Sequence, residues 1–99
     1  MKRFITVCAI SAAMTAGTAF AETVKVGYMT TLSGGAGIIG KQMQNAVNLA
    51  MEHKGGKLGG MDAEIIFADD QRKPDVAKQL ANRLMKSDRV DAVSYTHLR

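Results

Sequence analysis

The 99-residue chain has one cysteine, one proline and no tryptophan. Cys8 stands inside an amino-terminal apolar segment, so nothing beyond it can form a disulfide and the rest of the chain must fold on packing alone. No run of about 18 apolar residues occurs, which argues against an integral membrane protein. Positive charge is scarcer than it looks. Of 13 Lys and Arg residues, Lys2 and Arg3 belong to that first segment, and the remaining 11 face 9 acids, so the formal charge falls from +4 to +2. A nucleic-acid partner therefore gains no support. Neither of the two histidines sits near an acid cluster, and no nucleophile can be paired with a base, so metal binding and catalysis have no positive signal. With 46% hydrophobic and 22% charged residues, the composition is that of a globular chain, not of a disordered, collagen-like or coiled-coil one.

What is present begins with an export signal. Lys2 and Arg3 precede an apolar run from Phe4 to Met14 broken only by Thr6 and Ser11, and Ala19-Phe20-Ala21 supplies the small-x-small pattern before Glu22. Residues 1–21 read as a signal peptide cleaved after Ala21, which places the mature segment in the periplasm. Cys8 comes too early in the apolar run, and without small residues before it, to serve as a lipid-anchored cysteine.

Beyond the leader, apolar and β-branched residues alternate over 24–29, the pattern of a first strand. Residues 30–40 hold four glycines and no countable period, which predicts a loop. From Ile39 onward, Ile39, Met43, Ala46, Val47, Ala50 and Met51 recur at steps that share a helix face, with Gln42, Gln44, Asn48 and Glu52 opposite. Gly55-Gly56 closes that helix, and Gly55 to Gly60 form a tight connection. A nearly continuous apolar run over 63–68 predicts a second strand covered on both faces. Pro74 and Asp75 suit the first turn of a second helix running to about Ser87, with Ala77, Leu80, Ala81 and Leu84 on its apolar face. Arg89 to Val93 starts a third strand. The fold class is α/β: a βαβαβ unit on a parallel sheet, half of a doubly wound sheet and therefore incomplete.

Ligands of open parallel sheets bind beyond the carboxyl ends of the strands. The loop there contains Gly35-Ala36-Gly37-Ile38-Ile39-Gly40, a literal match to the dinucleotide fingerprint, but Thr30 to Gly34 separate it from the strand. Two other readings stand beside a nucleotide site. The glycines permit a turn and close helix packing; or their N–H groups and the Ser33 hydroxyl line a cleft for an anionic or zwitterionic small molecule. Asp69-Asp70 reads as a strand-end turn with Gln71, because neighbours on a strand point to opposite faces. His53 reads as a helix-end residue and Met43 and Met51 as core. Lys78, Arg83, Lys86 and Arg89 read as a solvated face.

Taken in order, Val24-Lys25-Val26-Gly27, Leu32-Ser33-Gly34, Gly40-Lys41-Gln42-Met43, Gly55-Gly56-Lys57-Leu58-Gly59-Gly60, Asp69-Asp70-Gln71 with Pro74, and Asp88 to Val93 resemble the periplasmic solute-binding proteins of ABC transporters, in the branched-chain amino-acid (leucine/isoleucine/valine) binding family. The resemblance implies a type I periplasmic-binding-protein fold, of which residues 22–93 form the front half of the amino-terminal lobe. It implies a receptor that traps a solute between hinged lobes and delivers it to an inner-membrane permease, without chemistry and without a cofactor. The implied solute is a branched-chain or other amino acid, or an aromatic carboxylate. By position in the family pattern, Ser33, Gly34, Gly35 and Ile39 would touch it. No cysteine stands in 72–75, where the best-known amino-acid binders carry one, and this brings the chain closer to members that bind aromatic or other carboxylates. Residues 94–99, Ser-Tyr-Thr-His-Leu-Arg, depart from the family and are similar to adapter-derived sequence, so they read as a non-native tail. A periplasmic sensory domain of the same ancestry and a nucleotide-binding enzyme are the alternative functions.

Overall fold

A computed structural model describes residues 22–97; the leader, Cys8 and the last two residues of the tail lie outside the described residues. Strand β1 (Val24–Thr30) is followed by a 3₁₀ turn over Gly34–Ala36, helix α1 (Gly37–His53), a short strand β2 (Lys57–Leu58), β3 (Met61–Asp69), helix α2 (Pro74–Lys86) and β4 (Ala92–Tyr95). The four strands form one sheet in the order β2-β3-β1-β4. β1 runs parallel to both neighbours, pairing Val24 with Ala63 through to Thr30 with Asp69, and Val26 with Ala92 through to Met29 with Tyr95.

The expected βαβαβ order is present, with one addition. The Gly55 to Gly60 segment is not a plain connection, because Lys57 and Leu58 pair antiparallel with Asp62 and Met61. Gly59 (φ 57°) and Gly60 (φ 80°) supply the two successive left-handed residues that a two-residue hairpin turn needs. The sheet is therefore mixed at this edge. Gly55 and Gly56 close α1 as expected: both have positive φ, and the Gly56 N–H returns to the Met51 carbonyl at 2.8 Å.

Alternation along β1 sends Gly27 and Met29 to one face of the sheet and Thr30 to the other. Met29, Ala68 and Leu84 form the buried core, with Ile66, Leu80, Ala81 and Val90 packed around them. This is the apolar face of α2 expected from its spacing. On the opposite face, the Thr30 hydroxyl lies 3.8 Å from the Met43 sulfur of α1, and Tyr28 meets Phe67 edge-on at 5.6 Å.

Two expectations are corrected. The inward face of α1 carries Gly37, Gly40, Met43, Val47 and Met51, while Ile39, Ala46 and Ala50 are exposed and Gln44 is half-buried. The third strand starts at Ala92, not Arg89. Residues 88–90 instead finish α2: the Asp88 N–H bonds the Arg83 carbonyl, the Val90 N–H bonds that of Leu84, and Arg89 turns left-handed with φ 52°. β4 is then anchored by Asp91, whose N–H bonds the Lys25 carbonyl and whose carboxylate accepts the Lys25 N–H, both at 2.8 Å. It continues through Ser94 and Tyr95, into the segment set apart by its sequence.

Candidate functional site

The carboxyl ends of β1, β3 and β4 lie side by side, so the segments leaving them share one edge of the sheet. The chain leaves β1 as Thr31-Leu32-Ser33 and turns at once into α1. Two glycines make that turn possible by close approach. A Cβ at Gly37 would sit 2.9 Å from the Leu32 carbonyl oxygen, and one at Gly40 would collide with the carbonyl of Thr31.

The same loop is bonded to the end of β3. The Asp69 Oδ1 accepts the Leu32 N–H at 2.8 Å and the Gln71 N–H at 2.9 Å. The Asp70 Oδ1 accepts the Thr31 hydroxyl at 2.6 Å and the Arg72 N–H at 2.8 Å. Thr30, Thr31 and Asp70 are fully buried. Asp69 also receives the Ser33 hydroxyl and N–H. Partial burial pushes its carboxyl upward, but these hydrogen bonds outweigh that and hold it below the ordinary value of 3.8. Tyr95 donates its hydroxyl to the Asp70 Oδ2 at 3.1 Å. Partial burial, that hydrogen bond and the Asp70 charge all raise the phenol above its ordinary 10.0.

Each sequence-predicted site residue falls on this edge. Ser33 is exposed and extended (φ −127°, ψ 169°), just before the 3₁₀ turn. Its hydroxyl donates to Asp69. Gly34 is left-handed at φ 68°, and both Gly34 and Gly35 have open space where a Cβ would project. Ile39 stands 47% exposed on the first turn of α1. These four form one exposed strip along the loop and the start of the helix.

The strand-end turn expected of Asp69-Asp70 with Gln71 is present, and what sequence reasoning did not foresee is that the two carboxylates also bond Leu32 and Thr31 of the loop after β1. Adjacent residues of β3 do point to opposite faces, yet the loop after β1 wraps over the strand ends and both carboxylates reach it. The usable signal was a pair of acids ending one strand and a Thr-Thr-Leu-Ser segment ending its parallel neighbour. A separate apolar hollow of about 330 Å³ lies beside α2 and β4, lined by Met29, Ala77, Ala81, Tyr95 and His97 among others. It contains none of the four predicted residues. Among the described residues no group of His, Cys, Asp and Glu is arranged to hold a metal, and no helix is long and apolar enough to cross a membrane.

The profile of the periplasmic binding protein family matches residues 23–97. Three solved structures illustrate the likeness. A solute-binding protein of an ABC transporter from Rhodopseudomonas palustris BisB5, in complex with 3,4-dihydroxybenzoic acid, superposes with a TM-score of 0.67 and 37% identity, over 72% of this chain and 20% of its own. An ABC-transporter solute-binding protein from R. palustris in complex with benzoate gives 0.70 and 28%, over 77% of this chain and 21% of its own. A possible leucine/isoleucine/valine-binding protein from Rhodopirellula baltica SH 1 gives 0.66 and 29%, over 74% and 20%. The chain thus spans 20% or 21% of the length of these relatives. No curated protein sequence matches it.

Proposed function

The chain belongs to the periplasmic binding protein family, and on that footing we propose that it supplies the opening part of the first lobe of an extracytoplasmic solute receptor for an ABC importer. The receptor captures a small carboxylate and hands it to an inner-membrane permease; it performs no reaction and needs no cofactor. The observation that carries this reading is the loop of residues 31–35. It is built at the carboxyl edge of the parallel strands, where open α/β sheets bind ligands, and it is tied in place by Asp69 and Asp70. The exposed strip of Gly34, Gly35 and Ile39 offers backbone and an aliphatic side chain to a solute.

An aromatic carboxylate is the favoured solute class. Both R. palustris relatives hold benzoates, and Ile39 presents apolar surface suited to a ring. The Rhodopirellula relative keeps branched-chain amino acids as the comparison set. Titration calorimetry of the complete receptor with benzoate, 4-hydroxybenzoate, 3,4-dihydroxybenzoate and leucine tests the assignment. Micromolar binding of a benzoate is expected, preference for leucine would move the class to amino acids, and heat from none of the four would refute the receptor reading. Residues 1–21 act as the export signal in this scheme, so mass spectrometry of the periplasmic product should find Glu22 at its start.

A further inference from the structure

Asp69 and Asp70 do more than shape their own turn. A carboxylate that only closes a strand-end turn bonds the N–H two residues on, and both do so: Asp69 to Gln71 and Asp70 to Arg72. The same two Oδ1 atoms also accept from the far side of the edge, Asp69 from the Leu32 N–H and Asp70 from the buried Thr31 hydroxyl. Each oxygen therefore joins the loop after β1 to the turn after β3. The turn itself is conformationally demanding. Gln71 (φ 52°) and Arg72 (φ 60°) are successive non-glycine residues in the left-handed region, an arrangement that persists only where surrounding bonds over-determine it.

We propose that Asp69 and Asp70 are positioning residues for solute capture, two neighbouring carboxylates that lock the ligand-facing loop of residues 31–35 to the left-handed turn at Gln71 and Arg72 so that both present one fixed surface. The proposal rests on the receptor reading above. It also assigns Ser33 a new part: its hydroxyl serves Asp69, and the solute meets the backbone at Gly34 and Gly35 and the side chain of Ile39 instead. Neither carboxylate touches the solute. Their effect is preorganisation, which acts on affinity by removing the cost of ordering two loops at the moment of binding.

The test uses the complete receptor with the best-bound of benzoate, 3,4-dihydroxybenzoate and leucine as probe. Asp69→Asn should weaken binding about tenfold or more, the scale of a lost charge-assisted hydrogen bond, chiefly through faster dissociation. Amide exchange followed by NMR should accelerate at Leu32 and Gln71 together in that variant, although they lie on different loops. Should Asp70→Asn fail to fold, Thr31→Val removes the inter-loop hydroxyl alone, and Thr31→Ser should restore binding. Leu80→Ala, which loosens the core without removing a hydrogen bond at this edge, supplies a control of lowered melting temperature and should keep the dissociation constant within about twofold. Unchanged binding in Asp69→Asn and Thr31→Val, or equal loss in Leu80→Ala, would overturn the positioning role. A wild-type receptor that binds none of the probes overturns the receptor reading itself, and this inference with it.

Discussion

Gly40 of α1 rests directly on the Thr31 carbonyl, with no room for even one side-chain carbon between helix and loop. The contact fixes where α1 starts relative to the edge of the sheet, and so where Ile39 stands relative to Gly34 and Gly35. Gly40→Ala must push apart two pieces of backbone, which cannot swing aside as a side-chain tip can. It should lower stability by about 1–3 kcal/mol, the usual cost of overpacking, and weaken solute binding as well. Gly35→Ala, with open space around its Cβ, should leave the melting temperature nearly unchanged. Thermal melts of the two variants of the complete receptor make the comparison.

That contact also explains which parts of the fold the sequence announced. α2 was legible because its inward residues, Ala77, Leu80, Ala81 and Leu84, are apolar and its first turn is marked by Pro74 and Asp75. β1 was legible from alternation with β-branched content, and β3 from a nearly continuous apolar run. The face of α1 was misread because its closest contacts are Gly37 and Gly40, which carry no hydrophobic signal, so the count shifted towards Ile39, Ala46 and Ala50. The tie between Asp69, Asp70 and the loop was hidden for another reason: it spans more than 35 positions of sequence, and no local pattern reports a bond of that range. The two-residue β2 was hidden because Lys57-Leu58 is too short to show a period.

Gly27 and Leu84 form a second close pair, of a different kind. A Cβ at Gly27 would come 2.9 Å from a terminal methyl of Leu84, a flexible group at the centre of the core. Gly27→Ala should therefore cost about 1 kcal/mol, whereas Leu84→Ala, which empties a fully buried site, should cost about 2–5 kcal/mol. The double variant should be more stable than the sum predicts, because the new methyl enters the space that Leu84 vacates. Strict additivity in urea unfolding of the four receptors would show that the two groups do not share that space.

Asp69 gives the fold a defined acid dependence. Its carboxyl titrates below the ordinary 3.8 when folded, under the balance of burial against bonds from Ser33, Leu32 and Gln71. A depressed folded value means that the charged form is favoured by folding. The stabilisation is fully present above the unfolded value and is lost as pH falls below about 3.8 through the lowered one. Chemical denaturation of wild type and Asp69→Asn between pH 6 and pH 2 should show the two curves converging at the acid end, with wild type more stable above it. Parallel curves would mean that Asp69 does not feel these bonds.

The 99-residue chain by itself should not behave as a folded monomer. Its buried hydrophobic core among the described residues amounts to Met29, Ala68, Ala77 and Leu84, too little to offset backbone ordering in a piece this small with no disulfide to help. Among the described residues β4 stands at the edge of the sheet and pairs with β1 alone, with Val93 and Tyr95 38% and 43% exposed. The apolar hollow between α2 and β4 opens beside that same edge. An unpaired parallel edge next to apolar surface invites another strand, and in the isolated chain the available strand is that of a second copy. Residues 22–99 should therefore unfold in urea without a sharp transition, sediment as a mixture of associated species, and bind neither benzoate nor leucine measurably. A cooperative transition in a chain that sediments as a monomer would show that α2 and the three parallel strands suffice as a folding unit, and would separate folding of this segment from completion of the solute site.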